Sequence, residues 1–252
     1  MLQDLFALDG KLALVTGASG GIGRAAAQVL QELGAELVIA GTDEARLQEV
    51  TDSLSVGGKV TALRGDARDS DHLDEIVATT AGLGGVDIVV HSIGVNRRMP
   101  LPEATGDDLD YLWSVNVASL FNLTQRLLPQ LIDKGYGKVV HLTSIVGTAI
   151  AVEDKTMYAI TKGALTQYVR SSALELARYG IRVNGIAPGF VDTPLTHDYI
   201  HSEREEEFLS AIPLRKFAEV RDIQPAVAYL ASAASDHVTG QVLVIDGGET
   251  LR

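Results

Sequence analysis

The chain has no cysteine at all, which excludes disulfides and thiol chemistry and is consistent with a cytoplasmic home. No stripe of basic residues appears. Asp and Glu outnumber Lys and Arg, for a formal charge of -12, and phosphate-backbone binding needs clustered cations, so no nucleic-acid partner is expected. No apolar run reaches the ~18 residues that a membrane span requires, so no membrane partner is expected. The first residues, including Asp4 and Asp9, carry acids where an export signal carries bases. There is also no internal repeat, low-complexity tract or Pro/Gly/Ser-rich linker to divide the chain.

What remains is 252 residues, 46% of them hydrophobic, enough to bury one large core. Short apolar runs at 12–16, 36–40, 60–64, 86–91, 138–143, 182–187 and 242–245 read as strands. Stretches of helical period lie between them, around 22–33, 44–54, 70–81, 107–133, 157–179 and 220–233. Strands that are continuously apolar are buried on both faces, which makes the sheet parallel, with helices on either side. The expected fold is therefore a single α/β domain over 1–252, a doubly wound parallel sheet of about seven strands. Residues 191–213 break this rhythm with a Thr-Pro step, two histidines and an acidic run. An excursion of that length reads as a substrate loop or lid.

Two constellations carry chemistry. The first strand runs into Gly17, Gly21 and Gly23. Glycines in a strand-to-helix turn admit a pyrophosphate against the backbone, where free N–H groups and the helix dipole meet it. The spacing is G-x-x-x-G-x-G, and a plain tight turn is the competing reading. Further on, Tyr158 and Lys162 are four residues apart, on one face if the run is helical, where the ammonium is expected to lower the phenol pKa. Ser144 follows an apolar strand, at the edge where open α/β sheets bind ligands. Asn116 lies within a long helical stretch, where Asn is a mediocre helix former and is either exposed or functional.

These residues, in this order, resemble the short-chain dehydrogenase/reductase family over nearly the whole chain. The resemblance implies a Rossmann-type fold and a catalytic tetrad of Asn116, Ser144, Tyr158 and Lys162. It places the dinucleotide, NAD(H) or NADP(H), against Gly17, Ser19, Gly20, Gly21, Ile22 and Gly23. Thr42 and Asp43, Asp66 and Ala67, and Ser92 and Gly94 continue the site, with Tyr158 and Lys162 themselves. Pro188, Gly189, Val191 and Thr193 complete it. In the implied reaction a hydride passes between the nicotinamide and a carbonyl or alcohol carbon. Tyr158 acts as acid/base, Ser144 holds the substrate oxygen, and Lys162 tunes the phenol and binds ribose. Asn116 would anchor a proton-conducting water chain. The family also implies a homotetramer assembled through the long helices.

Departures from the family pattern leave alternatives open. His91-Ser92-Ile93-Gly94 stands where most members carry Asn-Asn-Ala-Gly, and it is closer to enoyl-thioester reductases, so C=C reduction is one rival. A dinucleotide-binding regulator without turnover is another. The Ser144-to-Tyr158 gap is one residue longer than is commonest, and the extra residue falls at 150–155. Gly41 occupies the position of the acid that binds an NAD ribose, with Thr42 at the usual Arg position. No cation is evident for a 2′-phosphate and Asp43 and Glu44 are near, which leans the reading to NAD(H).

Arg97 and Arg98 follow the fourth strand and suit a carboxylate, as in the gluconate-type subgroup that the ending 246–252 also resembles. They are equally readable as surface charges, and Glu153 and Asp154 would repel an anion if they faced the pocket. His197 and His201 lie in the lid without ligand-like company, and no catalytic metal is expected.

Overall fold

A computed structural model describes residues 2–55, 58–194 and 196–251, so Leu195 of the 191–213 excursion and Arg252 of the ending lie outside the described residues. After the short helix α1 (Leu2–Phe6) come β1 (Leu12–Thr16), α2 (Gly21–Glu32), β2 (Glu36–Gly41) and α3 (Glu44–Ser55). Next are β3 (Val60–Arg64), α4 (Ser70–Gly82), β4 (Ile88–His91), α5 (Gly106–Trp113), α6 (Ser119–Lys134) and β5 (Gly137–Leu142). A brief turn, α7 (Ile145–Thr148), precedes α8 (Thr156–Leu176), β6 (Ile181–Pro188), β7 (Val191–Asp192), α9 (His197–Ile200) and α10 (Glu205–Ala211). The chain closes with β8 (Ala218–Glu219), α11 (Val220–Ala231) and β9 (Val242–Ile245).

Seven strands form one sheet in the order β3-β2-β1-β4-β5-β6-β9, and every pairing in it is parallel. The strand period of two explains how one apolar run serves two cores. Along β1, Ala13 and Val15 pack with Ala26 and Leu30 of α2 and Val227 of α11. Leu12 and Leu14 point the other way, against Leu73 of α4, Leu123 and Leu127 of α6 and Ala173 of α8. The doubly wound reading thus holds strand by strand. Among the described residues no helix is long and apolar enough to cross a membrane.

Three expectations change in detail. The strand at 86–91 begins only at Ile88, because the Asp87 carboxylate accepts the Leu12 N–H at 2.9 Å and the Lys134 ammonium at 2.8 Å. The long helix at 107–133 is interrupted by a π-helical turn over Ser114–Ala118. The excursion at 191–213 contains α9 and α10, and β7 pairs with β8 in a second, two-stranded sheet.

The core also holds two histidines, His91 and His141, which are register partners on β4 and β5 and stack with ring centroids 4.9 Å apart. His91 lies 3.3 Å from the Thr16 hydroxyl and 3.0 Å from that of Thr124, while neither nitrogen of His141 has a hydrogen-bond partner. Burial pushes the His91 pKa down to about 3 and that of His141 well below its ordinary 6.5. Both rings are therefore neutral in the native chain, whereas the unfolded chain protonates them below pH 6.5. A depressed native pKa means stability that is present above 6.5 and lost as pH falls toward the native value. His141→Leu should weaken this dependence below pH 6.5, toward a limit of about 1.4 kcal/mol per pH unit. Urea unfolding at pH 7 and pH 5 measures it, and an unchanged slope would contradict the account.

Candidate active site

Because every strand of the sheet points the same way, the loops after β1, β2, β4, β5 and β6 gather at one edge. The site lies there, where the strand order departs in opposite directions on either side of β1. Gly17 turns out of β1 with φ +72°. A Cβ on Gly17 would come within 2.8 Å of the Ser92 backbone, and one on Gly23 within 2.2 Å of the Gly17 carbonyl oxygen. These contacts explain the glycines physically: they bring the loops after β1 and β4, and the start of α2, to backbone contact. The cradle they leave suits a dinucleotide pyrophosphate.

A groove continues in both directions from this cradle. Toward β2 and β3 it opens into a cleft of ≈ 500 Å³ that includes Thr42, Asp43, Asp66 and Ala67. Toward β5 and β6 it becomes a cleft of ≈ 230 Å³ that includes Ser144, Tyr158, Lys162 and Thr193. Gly20, Ser92 and Gly94 border both, so the two clefts suit the two halves of one long ligand. Among the expected contacts, only Gly23 and Asn116 line neither cleft, Gly23 because its role is packing.

The tetrad residues come together from three segments: the end of β5, the helix α8 and the π-turn. Ser144 follows β5 and lines the same cleft as Tyr158, while its hydroxyl accepts the Val146 N–H at 3.2 Å. The longer Ser144-to-Tyr158 segment therefore still leaves both residues in one cleft. Lys162 lies one turn beyond Tyr158 on α8 and donates to the Leu142 carbonyl at 2.8 Å. Its ammonium is 5.8 Å from the Tyr158 ring centroid. Asn116 is fully buried in the π-turn, a device common at functional sites. Its amide donates to the Val95 carbonyl at 2.9 Å and to Thr161 at 3.1 Å, and its carbonyl accepts the Val95 N–H at 2.8 Å.

The expected lowering of the Tyr158 pKa needs correction for the free chain. Burial raises it, and the Ser144 hydrogen bond opposes that rise. Lys162 is turned toward Leu142, and its own pKa is pushed down to about 8 by burial. Both effects have one origin, the removal of water from the charged form of each group.

Beside Tyr158 a further cavity of ≈ 310 Å³ is bordered by Arg98, Lys155, Phe190, Tyr199 and Glu249. Of the arginine pair only Arg98 faces it, bonded to the Tyr199 hydroxyl and over that ring at 4.9 Å. Arg97 is the surface charge of the pair, bound to Asp108 at 2.8 Å. Glu153 and Asp154 do not border this cavity, so their conflict with an anionic ligand disappears. The acid that does border it is Glu249, whose carboxyl pKa burial raises and whose buried Oε2 has no hydrogen-bond partner.

Arg46, Lys155 and Glu249 escaped the sequence reading. Arg46 had a signal, its position one turn into α3 after Asp43. Lys155 and Glu249 come from distant segments and had none. His197 and His201 do have ligand-like company, because both contact Asp192.

A protein-family model described as enoyl-(acyl carrier protein) reductase matches residues 17–250. Gluconate 5-dehydrogenase of Gluconobacter oxydans is 35% identical, over 98% of this chain and 98% of its own. The crystal structure of a gluconate 5-dehydrogenase from Burkholderia cenocepacia in complex with NADP and tartrate is 32% identical, with TM-score 0.93 and both chains 100% covered. A 3-oxoacyl-(acyl-carrier-protein) reductase from Agrobacterium tumefaciens C58 with NADP bound is 28% identical, with TM-score 0.92 over 98% of this chain and 97% of that one. The chain belongs to the short-chain dehydrogenase/reductase family. It is an oxidoreductase that uses a nicotinamide dinucleotide.

Proposed function

We propose that this chain interconverts a ketone and a secondary alcohol on a small hydroxylated acid, with NADP(H) as the preferred cofactor. The observation that carries the reading is that Ser144, Tyr158 and Lys162 line one cleft, facing a cavity with two cations and one unpartnered carboxyl oxygen. The bound nicotinamide supplies or accepts the hydride. In reduction, the buried Tyr158 phenol is protonated at neutral pH and gives its proton to the substrate carbonyl oxygen. Ser144 holds that oxygen as charge develops on it. In oxidation, the Lys162 charge stabilises the phenolate that must accept the alcohol proton. Asn116 keeps the Val95 backbone in place beside Lys162 and is assigned the proton-conducting role that the resemblance implies.

Arg98 and Lys155 suit a carboxylate, and the free Glu249 oxygen suits a substrate hydroxyl. The tartrate in the Burkholderia relative is itself a hydroxy acid, which supports this class. The NADP(H) preference replaces the sequence-based lean to NAD(H). Arg46 borders the adenosine end of the groove, where its guanidinium lies 3.4 Å from Asp43 and can turn to a 2′-phosphate. An acid in place of Gly41 would meet Ser19, whose Oγ lies 2.7 Å from a Cβ built there. The NADP-bound relatives support the same choice. Exposed Phe121 on α6 and Ile160 and Leu174 on α8 support the proposed homotetramer, and the absence of cysteine supports the proposed cytoplasmic location.

Initial rates followed by NADPH absorbance, over a panel of keto acids, neutral ketones and enoyl thioesters, test the reading. Tyr158→Phe should lower kcat by about 10²–10⁴-fold with cofactor binding retained. Enoyl-thioester turnover alone would favour C=C reduction instead. Arg98→Ala should raise KM for a keto acid by about tenfold or more, and leave neutral ketones near the wild-type value. Arg46→Ala should cut kcat/KM for NADPH by about tenfold and leave that for NADH unchanged. Equal losses with both cofactors would count against a 2′-phosphate contact.

A further inference from the structure

Asp192 ends β7, while His197 and His201, four residues apart, project from one face of α9 and its C-terminal flank. The imidazole centroids are 4.7 Å apart. Asp192 reaches both rings, its Oδ1 at 2.9 Å from His197 Nδ1 and its Oδ2 at 3.2 Å from His201 Nε2. On the far side of His201, Nδ1 lies 3.1 Å from Glu205 Oε1 at the start of α10. One ligand atom from each of Asp192, His197 and His201 lies within 4.8 Å of the others. Ligands about 2.0–2.1 Å from a tetrahedral zinc ion stand roughly 3.4 Å apart, so small side-chain rotations suffice to close the site.

The proton inventory points the same way. Both nitrogens of His201 face a carboxylate, yet a neutral imidazole carries only one N–H. The other nitrogen would aim a lone pair at an anion unless a cation lies between them. A metal ion between Nε2 and Asp192 is such a cation. With a metal on Nε2, Nδ1–H is left to donate to Glu205, which is the carboxylate–histidine–metal arrangement that orients ligands in known sites.

We propose that Asp192, His197 and His201 bind a divalent transition-metal ion of the zinc type, with Glu205 holding His201 in its ligating tautomer. Two imidazoles and a carboxylate form the mixed nitrogen and oxygen set that such ions take, with a fourth position left for water. None of the three ligands borders the catalytic groove or the substrate cavity. Val191, Thr193, Thr196 and Tyr199, interleaved with them, do. The ion therefore acts on the lid and not on the reacting atoms, tying β7 to α9 and, through Glu205, to α10. It is independent of the proposed substrate and cofactor choice.

The test uses the untagged full chain, stripped with chelator and dialysed against Zn²⁺, with bound metal counted and thermal unfolding recorded. One zinc per chain and a raised Tm are expected. A His197→Gln/His201→Gln double variant should lose both effects while still binding NADPH, which verifies its fold. His237→Gln, at an exposed histidine elsewhere, should keep both. Glu205→Gln should weaken binding by about 10–100-fold. No zinc retained by the wild type, or zinc that survives the double variant, would overturn the proposal.

Discussion

Everything at this site depends on parallel pairing of strands that are buried on both faces. Parallel strands cannot be joined by hairpins, so each connection crosses over the sheet and returns to the same edge. Loops far apart in sequence are thereby delivered to one line. Ser92 follows β4, Ser144 follows β5, and Gly189 follows β6, so three neighbouring strands in the sheet order each hand a residue to the groove. A register slip of one residue in β5 would turn the side chain next to Ser144 toward the opposite face. The two hydrophobic cores hold that register, since each strand residue has a prescribed side.

The same burial sets the chemistry. Dehydration raises the phenol pKa of Tyr158 and lowers that of Lys162 to about 8, so in the free chain the ammonium is the more acidic partner. The ordinary order is nearly level, with Tyr near ~10 and Lys near ~10.4. A proton shared by this pair therefore rests on the phenol, which suits a donor to a carbonyl. Ser144 is the neighbour that moves the phenol back toward the working range. The ammonium stays in place through the Leu142 carbonyl at 2.8 Å, the last residue of β5, so strand and helix α8 are joined at the reacting end.

How much of this the sequence disclosed follows from the reach of its patterns. Strands were legible because they are apolar along their whole length, and Tyr158 with Lys162 because both sit on one long helix. The π-turn at Ser114–Ala118 was not, since one wider turn barely alters the spacing of apolar residues. α9 and α10, with 4 and 7 residues, are too short to show a period. Asp192, His197 and His201 could be joined only once α9 was known to be helical, because only then do the two histidines share a face. Arg46 was hidden by its neighbour Asp43, which made the adenosine end look acidic. Glu249 and Lys155, 94 positions apart, meet only through tertiary folding.

Residues 191–205 face two ways at once. Val191, Thr193, Thr196 and Tyr199 look inward onto the groove and cavity, while Asp192, His197, His201 and Glu205 contact one another on the outside. Inner and outer residues alternate along the same backbone, so neither set can move alone. Thr196 makes the link concrete, since its hydroxyl donates to the Val191 carbonyl at 2.5 Å and accepts the Thr193 N–H at 3.0 Å. Thr193 in turn stands against Gly21, where a Cβ would approach its side chain to 2.9 Å. The backbone that carries the outer charges is thereby joined by contacts to the glycine cradle. The segment that lines the groove and cavity is also the one that carries these outer charges.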